Sequence, residues 1–230
     1  MKSKGDFVPA RTNWVYYLTR GIARLIFRLF FRLRCYGCEN VPAEGAVILA
    51  ANHTSFLDPP LTAVGVKRPL RYVARKTLWG ENRIWNKFLD GCNAFPVDQE
   101  KPDVGSFKVM LRLLHAGEGL VLFPEGSRSW DGALLEPKPG VARLACRTEA
   151  PVVPVFIEGA HKALPRGKKF MRPCRIRVYY GQPTTYTDVG PGQDKNEHYR
   201  RVSDQIMQRI AELGGLEPPR RIGDPVQEDA

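Results

Sequence analysis

His53 and Asp58 stand five residues apart in Asn52-His53-Thr54-Ser55-Phe56-Leu57-Asp58, directly after the apolar run Ala46–Ala51. An imidazole and a carboxylate are the pair that general-base catalysis needs. The carboxylate accepts from one ring nitrogen and fixes the tautomer, and the other nitrogen is free to take a proton. On a continuous helix five residues advance by about 500°, which leaves two side chains roughly 140° apart. In a tight strand-to-helix turn they can meet, and such turns are where α/β sheets carry chemistry. A plainer alternative stays open: Asp58 caps a helix starting at Pro59-Pro60, and His53 is a hydrogen-bonded turn residue.

A second polar segment, Phe123-Pro124-Glu125-Gly126-Ser127-Arg128-Ser129, also follows an apolar run, Gly119–Phe123. Gly126 permits a sharp turn. Ser127, Ser129 and Arg128 offer hydroxyl and guanidinium donors, and an arginine can grip a phosphate through two parallel bonds. Glu125 can bind a substrate hydroxyl. Taken alone the segment also reads as an ordinary polar turn. With a hydroxyl-bearing acceptor no protein nucleophile is needed. His115, His161 and His198 have no metal-ligand spacing and read as structural or surface residues, so no metal is expected. Cys35-x-x-Cys38 lacks a second ligand pair nearby and reads as packing, and an odd count of five cysteines points to a reducing compartment.

These segments need a scaffold, and the chain alternates accordingly. Strands are expected at 46–51, 70–74, 94–97, 119–123, 152–157 and 174–180. In the last of these Ile176 and Val178 face inward and Arg175 and Arg177 outward. Helices are expected from about 58, and over 82–89, 104–114, 140–147 and 199–213. The pattern predicts one α/β domain, residues 35–213, with a central mixed sheet flanked by helices, and a disordered tail over 214–230.

Ahead of this domain, residues 1–34 carry eight basic residues against one acidic, a net of +7. Arg20, Arg24, Arg28 and Arg32 recur every four residues, a row that drifts only about 40° per step on a helix. They form a slanting stripe opposite an apolar face of Trp14, Tyr17, Leu18, Leu25, Ile26, Leu29 and Phe30. Gly21 is a candidate break that would give a helix pair. This predicts an amphipathic helix in the headgroup plane of an anionic membrane, with arginines reaching phosphates. The alternative is a surface helix packed on its own core. No run approaches the roughly 20 apolar residues of a spanning helix, and no secretory leader is recognisable.

The whole chain is 230 residues with a net charge of +11. A second basic stretch over 159–187 holds seven cations and no acid, so the rest is slightly acidic. That stretch can receive an anionic acyl donor or lipid headgroups. A nucleic-acid partner is the rival for such charge, but no binding motif is present and the arginine stripe backs onto a face suited to lipid. A non-catalytic lipid-binding protein is a further rival.

Asn-His-x-Ser-x-x-x-Asp with a downstream Phe-Pro-Glu-Gly-x-Arg-Ser resembles the glycerolipid acyltransferases, most closely the bacterial 1-acyl-sn-glycerol-3-phosphate acyltransferase (PlsC) type. Pro151-Val152-Val153-Pro154-Val155 and Lys138-Pro139-Gly140 match further blocks, and the resemblance covers about residues 35–185. It implies acyl transfer from a thioester, acyl-CoA or acyl-acyl-carrier protein, to the free hydroxyl of a lysophospholipid acceptor, without a cofactor. It further implies His53 and Asp58 as the catalytic pair. Glu125, Gly126, Ser127 and Arg128, with Lys76, would hold the glycerol-phosphate end, on the cytoplasmic face of the membrane as a peripheral protein. One block departs. After Ala94-Phe95-Pro96-Val97-Asp98 the family usually has a phosphate-binding arginine; here stands Gln99, with Lys101 two residues on. Glutamine supplies no charge, so another lysophospholipid is the alternative acceptor. Leu78, Trp79, Trp85, Phe88 and Leu89 are candidates for the acyl-chain groove.

Overall fold

The computed structural model describes residues 12–97, 104–190 and 192–219. It begins with a single helix, α1 (Trp14–Phe31), unbroken at Gly21. Asn13 starts it by accepting from the backbone N–H of Val15 and Tyr16 through its side chain. Arg32, in the left-handed conformation, stops it. Of the two alternatives, one helix or a broken pair, the described residues form one helix. Its buried residues are Tyr16, Phe27 and Phe31, three and four turns apart along one face. Each such burial contributes roughly 1.5–3 kcal/mol.

The chain then alternates. β1 (Arg34–Tyr36) is followed by β2 (Val47–Ala51), α2 (Asp58–Val64), β3 (Arg71–Arg75), α3 (Arg83–Gly91) and β4 (Ala94–Val97). α4 (Val104–His115), β5 (Gly119–Leu122), α5 (Gly140–Thr148), β6 (Val152–Glu158), the single turn α6 (Ala160–Ala163), β7 (Arg177–Tyr180) and α7 (Lys195–Leu213) complete it. The seven strands form one sheet in the order β1-β7-β6-β2-β5-β3-β4. All neighbours are parallel except β6 and β7. This is the single α/β domain with a mixed sheet that the alternation predicts. β1 and α6 were not foreseen, because three or four residues carry no periodic signal. The expected strand over 174–180 is shorter, since ladder pairing to β6 begins only at Arg177. Ile176 and Val178 are nonetheless fully buried.

β2 and β5 lie at the centre and are buried at every position. Side chains alternate across a strand, so each apolar run serves two cores. Ile48, Ala50, Leu120 and Leu122 face α4, α5 and α7, where Leu113, Leu144, Ile206 and Met207 close one layer. Val47, Leu49, Ala51 and Val121 face the other way, against Phe27 and Phe31 of α1 and Leu61 of α2. Cys35 and Cys38 pack at the edge of this second layer, and burial pushes the Cys35 thiol up to about 12.

This topology decides what meets at the carboxyl ends of the strands. β2 and β5 are parallel neighbours with Ala50 opposite Leu122. The segments beginning at Asn52 and Phe123 therefore leave the sheet side by side. β3 is the next strand beyond β5 and runs the same way, so Arg75 ends at the same edge.

Candidate active site

The turn after β2 is closed by Asp58. Its Oδ2 accepts from His53 Nδ1 at 2.9 Å and from the backbone N–H of Thr54 at 2.6 Å and Ser55 at 2.7 Å. Asp58 is fully buried, while the His53 side chain keeps 17% of its surface open. Asp58 begins α2 with Pro59 and Pro60 behind it, but its carboxylate makes no cap bond to that helix. The capping alternative is thus set aside: the carboxylate faces back into the turn. Because the carboxylate accepts, Nδ1 carries the proton and Nε2 is left as the acceptor. The imidazole stacks on the Phe123 ring at 3.9 Å and 17°, which fixes its plane.

The segment after β5 holds the backbone of the same histidine. Glu125 Oε1 accepts from His53 N–H at 2.7 Å, and Ser129 N–H donates to His53 O at 2.9 Å. Glu125 Oε2 accepts from Leu135 N–H at 3.1 Å. Glu125 is 2% exposed, and burial pushes it up to about 8, against the opposing pull of its two backbone N–H donors. This corrects the expectation of a substrate contact. Glu125 does not line the cavity; both its oxygens are taken by main-chain donors behind the histidine. Asn52 braces the base of the turn, donating to Ile157 O at 3.2 Å and accepting from Ile157 N–H at 2.7 Å on β6.

A cavity of about 490 Å³ opens in front of His53. That is within the roughly 300–1,000 Å³ of small-molecule sites. Its lining combines the cationic and polar Arg75, Ser127, Arg128 and Lys138 with the apolar Val73, Leu78, Phe107, Met110, Val141 and Leu144. The Arg128 guanidinium lies 3.5 Å over the Phe56 ring. Its Nη1 is buried without a hydrogen-bond partner among the described residues. Burial lowers its pKa, and the nearby Arg166 and Arg75 charges add to that. A half-buried guanidinium with one buried, idle donor and cationic neighbours is poised for an anion. No ion pair among the described residues engages Arg75, Arg128 or Lys138. Gly126 sits at φ 69°, and a Cβ there would come within 2.9 Å of Lys138 Cδ. The positive φ is what favours glycine here, since the lysine tail lying over it could shift.

Other expected site residues fall differently. Lys76 does not line the cavity; its neighbour Arg75 does, because β3 ends there and the chain turns at Lys76–Leu78. Arg75 was missed by sequence reasoning, although its place at the end of an apolar strand was a usable signal. Of the groove candidates only Leu78 lines the cavity. Trp79 instead donates to Asp90, and Trp85 and Phe88 stack on each other on α3. Gln99 and Lys101 lie outside the described residues. On α1, Trp14, Tyr17, Leu18, Leu25, Ile26, Leu29 and Phe30 are all exposed, Trp14 at 72%. The arginine stripe runs beside this face rather than opposite it, since the opposite face is the buried one. Arg20 leaves the stripe and donates to the carbonyls of Val66, Lys67 and Arg68. Arg24, Arg28 and Arg32 remain exposed. In the second basic stretch Arg177 is paired with Glu158 at 2.7 Å.

Comparison with known proteins adds an independent line. The family model described as Acyltransferase matches residues 32–158. A 1-acyl-sn-glycerol-3-phosphate acyltransferase of Bacillus subtilis (strain 168) is 29% identical over 200 residues, covering 86% of this chain and 96% of its own. One of Streptococcus pneumoniae is 25% identical over 200 residues, covering 86% and 72%. The crystal structure of the 1-acyl-sn-glycerophosphate (LPA) acyltransferase, PlsC, from Thermotoga maritima aligns with a TM-score of 0.68 at 25% identity. It covers 89% of this chain and 81% of that one.

Proposed function

The chain belongs to the Acyltransferase family, and from that membership we propose that it moves a fatty acyl group from a thioester to the free hydroxyl of 1-acyl-sn-glycerol-3-phosphate, giving phosphatidate. The observation that carries this is the His53–Asp58 pair at 2.9 Å, with His53 lining a cavity that also holds cations and apolar side chains. The relatives bearing that activity in their names support the same acceptor.

The chemistry follows from the geometry. His53 Nε2 takes the proton of the acceptor hydroxyl as its oxygen attacks the thioester carbonyl carbon. The imidazolium that forms donates through Nδ1 to the Asp58 carboxylate, which is held ready by two backbone N–H groups. The tetrahedral intermediate collapses, the C–S bond breaks, and the leaving thiolate takes the proton back from His53. Arg128, Arg75 and Lys138 hold the acceptor phosphate, with Ser127 beside them. The acyl chain lies along Val73, Phe107, Met110 and Leu144. The donor is acyl-CoA or an acyl-carrier protein, and the residues here do the work without a metal or prosthetic group.

We further propose that the exposed face of α1 lies in the headgroup layer on the cytoplasmic side of the membrane, with Arg24, Arg28 and Arg32 reaching lipid phosphates. No helix among the described residues is long and apolar enough to cross a membrane.

The test is turnover of a labelled acyl thioester against a panel of lyso-lipids. Lysophosphatidate should be the preferred acceptor. A strong preference for an uncharged acceptor would overturn the assignment.

A further inference from the structure

Between α6 and β7 the chain makes a closed ten-residue loop. Arg172 N–H donates to Ala163 O at 2.8 Å, which ties its ends together. Inside it Lys168 N–H donates to Pro165 O at 3.1 Å, and Gly167 takes φ 83°. These bonds leave the far end of the loop pointing into solvent. Phe170 is 85% exposed and the adjacent Met171 53% exposed. Lys168, Lys169 and Arg172 flank them, all exposed, and none of these three cations has an ion-pair partner among the described residues.

A single exposed apolar residue means little. Two consecutive large ones at the tip of a tied loop, ringed by cations and with no acid from 159 to 187, are a more particular arrangement. The loop is also anchored at both roots to regions already described. Arg166 donates to Arg128 O at 2.5 Å and stacks 4.0 Å over the Trp130 ring. Ile176 N–H donates to Phe31 O at the end of α1. Phe170 stands four residues after Arg166, and Ile176 five after Met171, so the chain from each root to the tip spans at most about 17 Å.

We propose that this loop is a second membrane contact: Phe170 and Met171 enter the acyl-chain boundary of an anionic bilayer while Lys168, Lys169 and Arg172 meet headgroup phosphates. The charges fit an anionic surface, and the apolar tip fits its interior. An acidic carrier protein would engage the cations and leave the two apolar side chains in water. The proposal rests on the reading of the protein as an enzyme that works at a bilayer. Through Arg166 it ties the loop to the Arg128 segment, which the same reading assigns to the acceptor phosphate.

The test is flotation of the full chain with phosphatidylcholine vesicles, with and without phosphatidylglycerol. Three forms are compared: wild type, a tip variant (Phe170→Ser with Met171→Ser) and a charge variant (Lys168→Gln, Lys169→Gln and Arg172→Gln). The tip variant should partition about tenfold more weakly into both vesicle types. The charge variant should prefer phosphatidylglycerol several-fold less than wild type does, the α1 arginines supplying the preference that remains, and an undiminished preference would remove the loop's cations from the contact. Unchanged melting temperatures show that both variants fold. Wild type failing to float with either vesicle would remove the bilayer reading and the loop with it. Wild type floating and the tip variant floating equally well would remove the loop alone. The loop proposal also falls if a soluble acidic acyl-carrier protein binds wild type and the tip variant alike, loses the charge variant and competes the protein off vesicles.

Discussion

Glu125 accepts a hydrogen bond from the backbone N–H of His53 at 2.7 Å across 72 residues of sequence. The bond exists because β2 and β5 are parallel neighbours that end together. It makes Glu125 a positioning residue: it grips the main chain of the base while Asp58 grips its ring. Burial pushes Glu125 up to about 8 from an ordinary 4.5. In the folded protein it therefore keeps a proton that the unfolded chain releases at lower pH. Between those two values the folded state binds more protons, so this contribution to stability falls as pH rises. It is fully present below about 4.5 and lost once pH passes about 8. Glu125→Gln keeps one oxygen for His53 N–H and removes the titration. Its melting temperature should vary less with pH than that of wild type over pH 5–9 in buffers matched for salt. Parallel curves would show that Glu125 does not titrate there.

His53→Ala should lower kcat by about 10³-fold or more, since general-base assistance and its support are both lost. It should cost less stability than loss of the Asp58 carboxylate, because the ring is partly open to the cavity while Asp58 is fully buried. Asp58→Asn should lower kcat and also destabilise, because the buried carboxylate serves Thr54 and Ser55 N–H as well as the ring. Turnover and thermal melting of the two variants side by side check this. Equal stability losses would mean that Asp58 does not organise the turn.

Arg75 and Lys76 are adjacent cations with different surroundings, since only Arg75 lines the cavity. Arg75→Ala and Arg128→Ala should each raise the acceptor KM by about 10–100-fold, the loss of a charged hydrogen bond of about 1.5–3 kcal/mol. The thioester KM should hardly move. Lys76→Ala should leave both constants near wild type. Initial-rate kinetics with each substrate varied decide the matter, and an acceptor KM that responds to Lys76 alone would reverse the assignment.

The arginines of α1 should separate into two classes. Arg20→Ala should lower stability by about 1–2 kcal/mol, because it strips donors from three carbonyls just past α2. Arg24→Ala with Arg28→Ala should leave stability alone and weaken binding to anionic vesicles. Denaturant melts and vesicle flotation read the two effects, and a shared pattern across the stripe would refute the division.

Much of this protein was legible in the residues themselves. Strand and helix signals are local, and the runs at 46–51, 119–123 and 152–157 are apolar enough to mark the centre of a parallel sheet. The spacing of His53 and Asp58 allowed them to meet in a turn but left Asp58 as a helix cap equally open, and the bond at 2.9 Å chose between the two. Gly126 was marked as a turn by its type, and its φ of 69° bears that out.

The tertiary structure decided what depends on neighbours far away in sequence. Glu125 lies behind the histidine because sheet order puts its loop beside the Asn52 turn, and no local pattern encodes that order. Arg75 rather than Lys76 reaches the cavity because β3, paired to β4 as far as Arg75 and Val97, ends there and the chain turns at Lys76–Leu78. Arg20 is spent on carbonyls 46 to 48 residues away, so an even four-residue stripe hides one structural member. Residue type and spacing determined which chemistry was available; strand adjacency, a property of the packed sheet, decided which groups face the cavity and which hold it in place.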